Sequence, residues 1–488
     1  MIRNRGRLQI LKAIRAKEAS RTLRYISSTA AFIIFAGCGE RSVVESGRSS
    51  SNVISSDSES HSDDSIAKSQ VQNDCVALKP EVICTKTISE TLTEIKVDAG
   101  GRCDAAPGIN SCLNAENTTL ALPPGRYLIK STINIKYDGI TLSTRGLSDD
   151  LTTCLKNTTS NPCAVLIAAD DFGEPRPDNS FARAMLRIGS SKKPVNRVTL
   201  DHIALDGAKD ARSKNGNITK KCGSGGGGRN LMETGGSDNK LLYSASVNAL
   251  CGTAVGWAVA KTGIRSIIKN NFIANNGTGY PDNTIWSDGL TIGKVSNTII
   301  TGNLFQDSTD VDVVIGGATD TTFSNNIIYH PNLNSFAGFM LTNWSLRDGS
   351  QPTEWADFRG LIVSDNTFRC NYRVQICVQI GIFPWFYPET GWENWRTMGG
   401  IFRNNEIYTQ NQGINVGGGG TKNFPVILDG NKINKTGAAT AEIGAGSNRK
   451  SRFVGKLNVV RLGAENFIEY RNGQGADVDR AVPWHSIF

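Results

Sequence analysis

A chain of 488 residues is long enough for two or three average domains, although repeat architectures grow along one axis and escape that rule. Its net charge of +8 sits at the front: residues 1–37 carry eight basic side chains (Arg3, Arg5, Arg7, Lys12, Arg15, Lys17, Arg21, Arg24) against one acid, Glu18, leaving about +1 for everything after. A near-neutral remainder excludes the basic footprint of a nucleic-acid-binding protein.

The basic leader runs into an apolar stretch of twelve residues, Tyr25 to Ala36. That is the length of a signal-peptide core and too short to span a bilayer. It closes on Phe35-Ala36-Gly37-Cys38, which resembles the lipobox of bacterial lipoproteins, with Phe35 where that family usually has Leu. The resemblance implies that residues 1–37 are a signal peptide and that Cys38 is lipidated. It also implies a protein held in the bacterial cell envelope, periplasmic or surface-exposed, that meets the membrane through its lipid anchor alone. Residues 41–72 are dominated by Ser with scattered charges, a composition that cannot bury enough surface to order itself, so 38–72 reads as a tether.

Ten further cysteines fall in sequence-local pairs: Cys75 with Cys84, Cys103 with Cys112, Cys154 with Cys163, Cys222 with Cys251, and Cys370 with Cys377. None has the CxxC spacing of a zinc or redox site. They are expected to be structural disulfides of an oxidising compartment, with no resident metal. Residues 73–94 form a disulfide-containing lead-in, and the folded domain is expected over 95–488.

That domain opens on Leu120-Ala121-Leu122-Pro123-Pro124-Gly125-Arg126-Tyr127-Leu128-Ile129, then Ile133-Asn134-Ile135 and Gly139-Ile140-Thr141-Leu142. The string resembles the first coil of pectate-lyase-superfamily β-helices. Downstream, a strand-turn-strand unit recurs seven times, as in Ile299-Ile300-Thr301-Gly302-Asn303-Leu304-Phe305 and Ile401-Phe402-Arg403-Asn404-Asn405-Glu406-Ile407. Aligned asparagines, Asn271, Asn303, Asn326, Asn366, Asn405 and Asn431, step by 23 to 40 residues. Short steps are bare coils of roughly 20 residues and long ones carry inserted loops. Asn suits the bend because it tolerates left-handed geometry and its amide can bond the coils above and below. With no amphipathic helix interrupting the series, the expected fold is all-β, a right-handed parallel β-helix with inserted loops.

A β-helix interior is filled with stacked side chains, so chemistry must lie on an outer face. The region Trp286 to His330 is the best candidate. In Thr309-Asp310-Val311-Asp312-Val313-Val314-Ile315, strand alternation would turn Val311, Val313 and Ile315 inward and both Asp310 and Asp312 outward. Asp288 lies 22 residues before Asp310 and His330 lies 20 after it, each about one coil away. Coils stack at about 4.8 Å, so these acid/base groups can line up on one sheet. Alternation sets Asp288 on the side of Leu290 and Ile292, so it faces outward only if the turn before Leu290 reorients it.

The arrangement is similar to that of the polygalacturonase family, with Asp288-Gly289-Leu290, Asp310 with Asp312, and His330 as counterparts of its motifs. The adjacent Asp-Asp is here Thr309-Asp310, the Gly-His-Gly is Tyr329-His330-Pro331, and Arg347 is a weak stand-in for the substrate-binding Arg-x-Lys. The resemblance implies a general acid and water-activating carboxylates acting on a glycosidic bond. A lyase would instead need no cofactor beyond Ca²⁺, for which Asp307, Asp310 and Asp312 offer oxygens, with Lys294 or Arg347 as base. Solvated turn residues remain the bland alternative for these acids.

Between Phe383 and Trp395 six aromatics and two prolines describe a loop. Trp385, Tyr387, Trp392 and Trp395, with Trp344 before them, could stack on sugar rings or fold into a private core. The expected partner is a polysaccharide or cell-surface glycan, and the expected function is hydrolase or lyase action upon it, or non-catalytic binding and adhesion by the same surface. The glycine runs Gly225 to Gly228 and Gly417 to Gly420 lack the context of a phosphate loop and read as flexible connections.

Overall fold

The sequence's short apolar runs become short strands, each pairing with its counterpart one coil on. In the computed structural model the described residues are 82–86, 91–95, 97–147, 154, 162–174, 184–214, 222, 228–278, 285–342, 347–348, 351–352, 355–381, 397–417, 419–421, 423–435, 443–445, 459–462 and 466–471. These belong to one compact unit, Asp63–Phe488. The sequence-based expectations for Cys38, the tether, Cys75, Trp344, Trp385, Tyr387, Trp392 and Trp395 lie outside the described residues. The same holds for the side chains of Cys84 and Arg347.

Three long sheets of 14, 11 and 10 strands run the length of the fold, each built almost wholly of parallel pairs taken in chain order. One coil illustrates the rule: Ile299–Thr301 joins the first sheet, Leu304–Ser308 the second and Val311–Ile315 the third. The protein is a right-handed parallel β-helix, the hand that nearly all parallel crossovers adopt. At both ends of the 14-stranded sheet the pairing turns antiparallel, Val82–Lys86 with Thr91–Ile95 and Val459–Leu462 with Asn466–Arg471. The hairpins end the parallel run of that sheet at both sides. Part of the lead-in thus belongs to the sheet itself. The described helices, Ala106–Cys112 and Lys209–Lys214, are one or two turns long.

Inward positions stack. Phe323 packs against Phe305 and Phe339 at 6.2 and 5.0 Å between ring centroids, and Phe339 against Phe368 and Phe402 at 5.9 and 6.1 Å, all five rings being buried. Loss of one such ring costs about 3–5 kcal/mol.

The asparagines form a ladder. Each Oδ1 accepts from both the backbone N–H and the side-chain amide of the asparagine one coil earlier: Asn303 donates to Asn326 at 3.0 and 2.9 Å, and Asn326 to Asn366 at 2.9 and 3.1 Å. The left-handed residue is not the ladder asparagine, as expected, but the one before it: Asn270, Gly302, Asn325, Asp365, Asn404 and Gly430 have φ of 56, 69, 54, 57, 53 and 62°. The bend is made by one residue so that the next can turn its amide into the stack.

Three disulfides tie loops to the coils: Cys154 to Cys163, Cys222 to Cys251 and Cys370 to Cys377. Cys103 and Cys112 are also disulfide-bonded.

Candidate functional site: a carboxyl pair on the outer face of the third sheet

The site-bearing sheet is in register through Val255, Leu290, Val313, Phe339 and Val378, all in the core. Just before this column, the simple alternation fails. Val313 lies in the core, yet Val311 joins Val314, Phe336, Ala337, Met340 and Ile376 in a separate apolar cluster, while Asp312 is fully buried. Two neighbours, Asp312 and Val313, therefore turn inward together. The expectation that Val311 faces the core and Asp312 the solvent is corrected. The cause is local: Asp312 Oδ1 accepts from the Ser308 N–H at 2.8 Å, and Oδ2 meets His330 Nδ1 at 3.0 Å, bonds that draw the carboxylate inside.

The same break reorients Asp288. Its neighbour Gly289 lies against the Asp312 carbonyl, which an added Cβ would approach to 2.5 Å, so only glycine fits the crossing of these two strands. Asp288 then stands on the outer face beside Thr291, whose hydroxyl donates to its Oδ2 at 2.7 Å, and Thr291 in turn contacts Thr253 Oγ1 at 3.0 Å.

Asp310 occupies the two-residue bend between Leu304–Ser308 and Val311–Ile315. Its backbone is held from both sides: its N–H donates to Ser287 O at 3.2 Å, and its carbonyl accepts from Phe336 N, Ala337 N and Ser335 Oγ at 2.9, 3.2 and 2.6 Å. That grip delivers the Asp310 carboxyl to the carboxyl of Asp288 one coil earlier, and the two are hydrogen-bonded. Two carboxylates cannot both ionise at such range, so they share a proton. Asp288 Oδ1 is buried without a well-formed hydrogen bond. Burial pushes Asp288 up to about 6, held back by Thr291, Asp310 and the nearby Arg229. Asp310 is driven well above the usual carboxylate range, by burial first and then by the charge of Asp288. Of the two, Asp310 holds the shared proton more firmly.

His330 does not join this pair. Ile327–His330 alternates strictly, with Ile327 and Tyr329 exposed and Ile328 and His330 buried. The imidazole lies between Asp312, at 3.0 Å, and Asp307, 4.0 Å from Nε2. Burial pulls its pKa down, but Asp312 and then Asp307 outweigh it, and the net shift is upward. Asp307, with φ of 52°, is occupied in turn: it accepts from the N–H groups of Asn332 and Leu333 at 3.0 and 3.1 Å and from the Asn332 amide at 2.9 Å. Of the four expected acid/base residues the fold brings together Asp288 and Asp310, and it sets Asp312 and His330 beneath them as a buried strut.

Asp307, Asp310 and Asp312 thus face three different surroundings. Among the described residues no group of three His, Cys, Asp or Glu side chains that could hold a metal ion is found; Asp307 and Asp312 flank His330, and Asp310 pairs with Asp288. Arg347 lies in the two-residue strand Arg347–Asp348, paired with Gln351–Pro352. Trp286, exposed at 42%, stands two residues before Asp288, and no motif in the sequence singled it out as a binding residue.

Fold and site together define a β-helix protein with a proton-sharing carboxyl pair on an outer sheet face. No family model and no curated protein matches the chain. Similar solved structures are the Dettilon tailspike protein (13% identity, TM-score 0.39, covering 70% of this chain and 66% of that one) and the enzymatically active domain of tailspike protein 2 of bacteriophage CBA120 (9%, 0.46, 76% and 49%). A third is the endo-xylogalacturonan hydrolase of Aspergillus tubingensis (14%, 0.38, 72% and 92%). The chain spans two thirds or less of the length of these tailspikes, and the likeness is one of fold.

Proposed function

We propose that the protein is a polysaccharide hydrolase in which Asp310 is the general acid and Asp288 the general base. The Asp288–Asp310 pair carries this proposal: two carboxyls on successive coils stand side by side, one raised well above the usual carboxylate range by burial and by its neighbour, the other pushed up to about 6, the separation of acid and base roles that glycoside hydrolysis needs. Entry of the glycosidic oxygen and a water parts the two groups. Asp310 gives its proton to the leaving oxygen as the bond from the anomeric carbon breaks. The water oxygen bonds to that carbon and its proton passes to Asp288. When product leaves, the contact between the carboxyls reforms and returns the proton to Asp310.

The leader, the Phe35-Ala36-Gly37-Cys38 string and the Ser-rich 41–72 segment support an envelope protein tethered by a lipid at Cys38, acting on glycans at the cell surface. The disulfides suit the oxidising side of a membrane. Incubation of the mature protein with a polysaccharide panel, following new reducing ends together with absorbance from unsaturated sugars, tests the reaction. Reducing ends without unsaturation are expected; unsaturated product would mean elimination, and neither signal a binding protein.

A further inference from the structure

We propose that Trp286 is the sugar-stacking residue of this site, its indole forming the wall on which a ring of the polysaccharide lies while the adjacent glycosidic bond reaches Asp310. The inference rests on the carboxyl pair as the reactive centre and adds the residue that places substrate there.

Four observations carry it. First, Trp286 and Asp288 lie on the same side of the chain, because the residue between them, Ser287, is fully buried, with its N–H on Thr309 Oγ1 at 3.1 Å. Trp286 immediately precedes the strand Ser287–Ile292 that carries Asp288. Second, Trp286 is presented rigidly. Its neighbour Ile285 is buried against Leu250 and Cys251, beside the Cys222–Cys251 disulfide, and the Ile285 carbonyl accepts from the Thr278 N–H at 2.9 Å.

Third, the floor beside the indole is bare. Gly252, one coil earlier, donates its N–H to the Trp286 carbonyl at 3.1 Å. A Cβ added at Gly252 would meet only the Arg229 side chain, at 3.4 Å, so the strand backing Trp286 carries no side chain of its own at this point. Fourth, 42% of Trp286 is exposed, while Trp257 on the neighbouring strand is fully buried. A tryptophan left this open stands on a pinned backbone beside an acid pair. Flat indole against the apolar face of a sugar, with polar groups at one edge, is the contact that such a wall provides.

The test uses Asp310→Asn, which removes turnover but not the wall, and the double variant Asp310→Asn/Trp286→Ala. Binding to a neutral glucan, a polyuronate and an N-acetylated amino-sugar polymer is measured by calorimetry, with thermal melts of both proteins. At least one polymer is expected to bind the single variant, and the double variant about ten-fold more weakly, at an unchanged melting temperature. Trp286→Phe in place of Ala should restore part of the loss. Equal affinity of the two proteins, or no binding of any polymer to Asp310→Asn, overturns the proposal. Cleavage by Asp310→Asn at the rate of the unmodified protein would remove the acid assigned to the reaction and leave the Trp286 comparison intact.

Discussion

Asp312 and His330 meet at 3.0 Å with neither side chain exposed to solvent. A carboxylate in that position is tolerable only with its partner in place, and breaking a buried pair costs about 3–5 kcal/mol. His330→Ala should therefore lose stability of this order in chemical denaturation, and lose activity only to the extent that the fold is lost at the assay temperature. A fully folded His330→Ala with no turnover would return His330 to the chemistry.

The β-helix was legible because its signals are local and repeated. Gly302-Asn303 and Asn404-Asn405 mark the bend directly, and the run Leu304-Phe305 shows which way the strand after it packs. The carboxyl pair was only half legible. Asp288 and Asp310 were separated by one coil's length, which sequence spacing reveals, but the orientation of Asp312 depended on two inward neighbours in succession. Strict alternation cannot represent that break, and the bonds that cause it, to the Ser308 N–H and to His330, are contacts between segments. Trp286 marked the edge of the candidate region in the sequence, but its exposure of 42% is decided by the surrounding coils, which sequence spacing does not show.

The ladder gives a second expectation. Asn326 accepts two hydrogen bonds from Asn303 and donates to the Ile300 carbonyl at 3.0 Å. Asn326→Ala leaves these buried groups unpaired, at about 1–3 kcal/mol. Guanidinium unfolding should show the midpoint falling accordingly.

Glu233 sets a pH dependence of stability. It is fully buried and accepts from Gly235 N, Asn239 Nδ2 and Ala258 N at 2.7, 3.1 and 2.7 Å, yet burial still pushes its pKa up to about 7, from 4.5. The folded state then holds a proton that the unfolded state releases, so stability is present in full below about pH 4.5 and declines as pH rises through 7. Melting temperature measured between pH 5 and 8 should fall across this interval, and Glu233→Gln should remove that part of the slope.

The rate should respond to pH through the acid pair. Asp288 must be ionised, giving a rise in kcat/KM through about pH 6, and Asp310 must keep its proton, giving a fall at higher pH where its raised pKa is passed. A bell-shaped profile is expected, and Asp288→Asn should abolish its acid limb along with most of the rate.

The most direct test of the acid/base assignment is the release of reducing ends by Asp310→Asn beside the unmodified protein, on whichever polysaccharide the latter cleaves. Removing the general acid should lower kcat by about 10²–10⁴ while the thermal melt stays within a few degrees of the original. Turnover by Asp310→Asn at the rate of the unmodified protein would contradict the account.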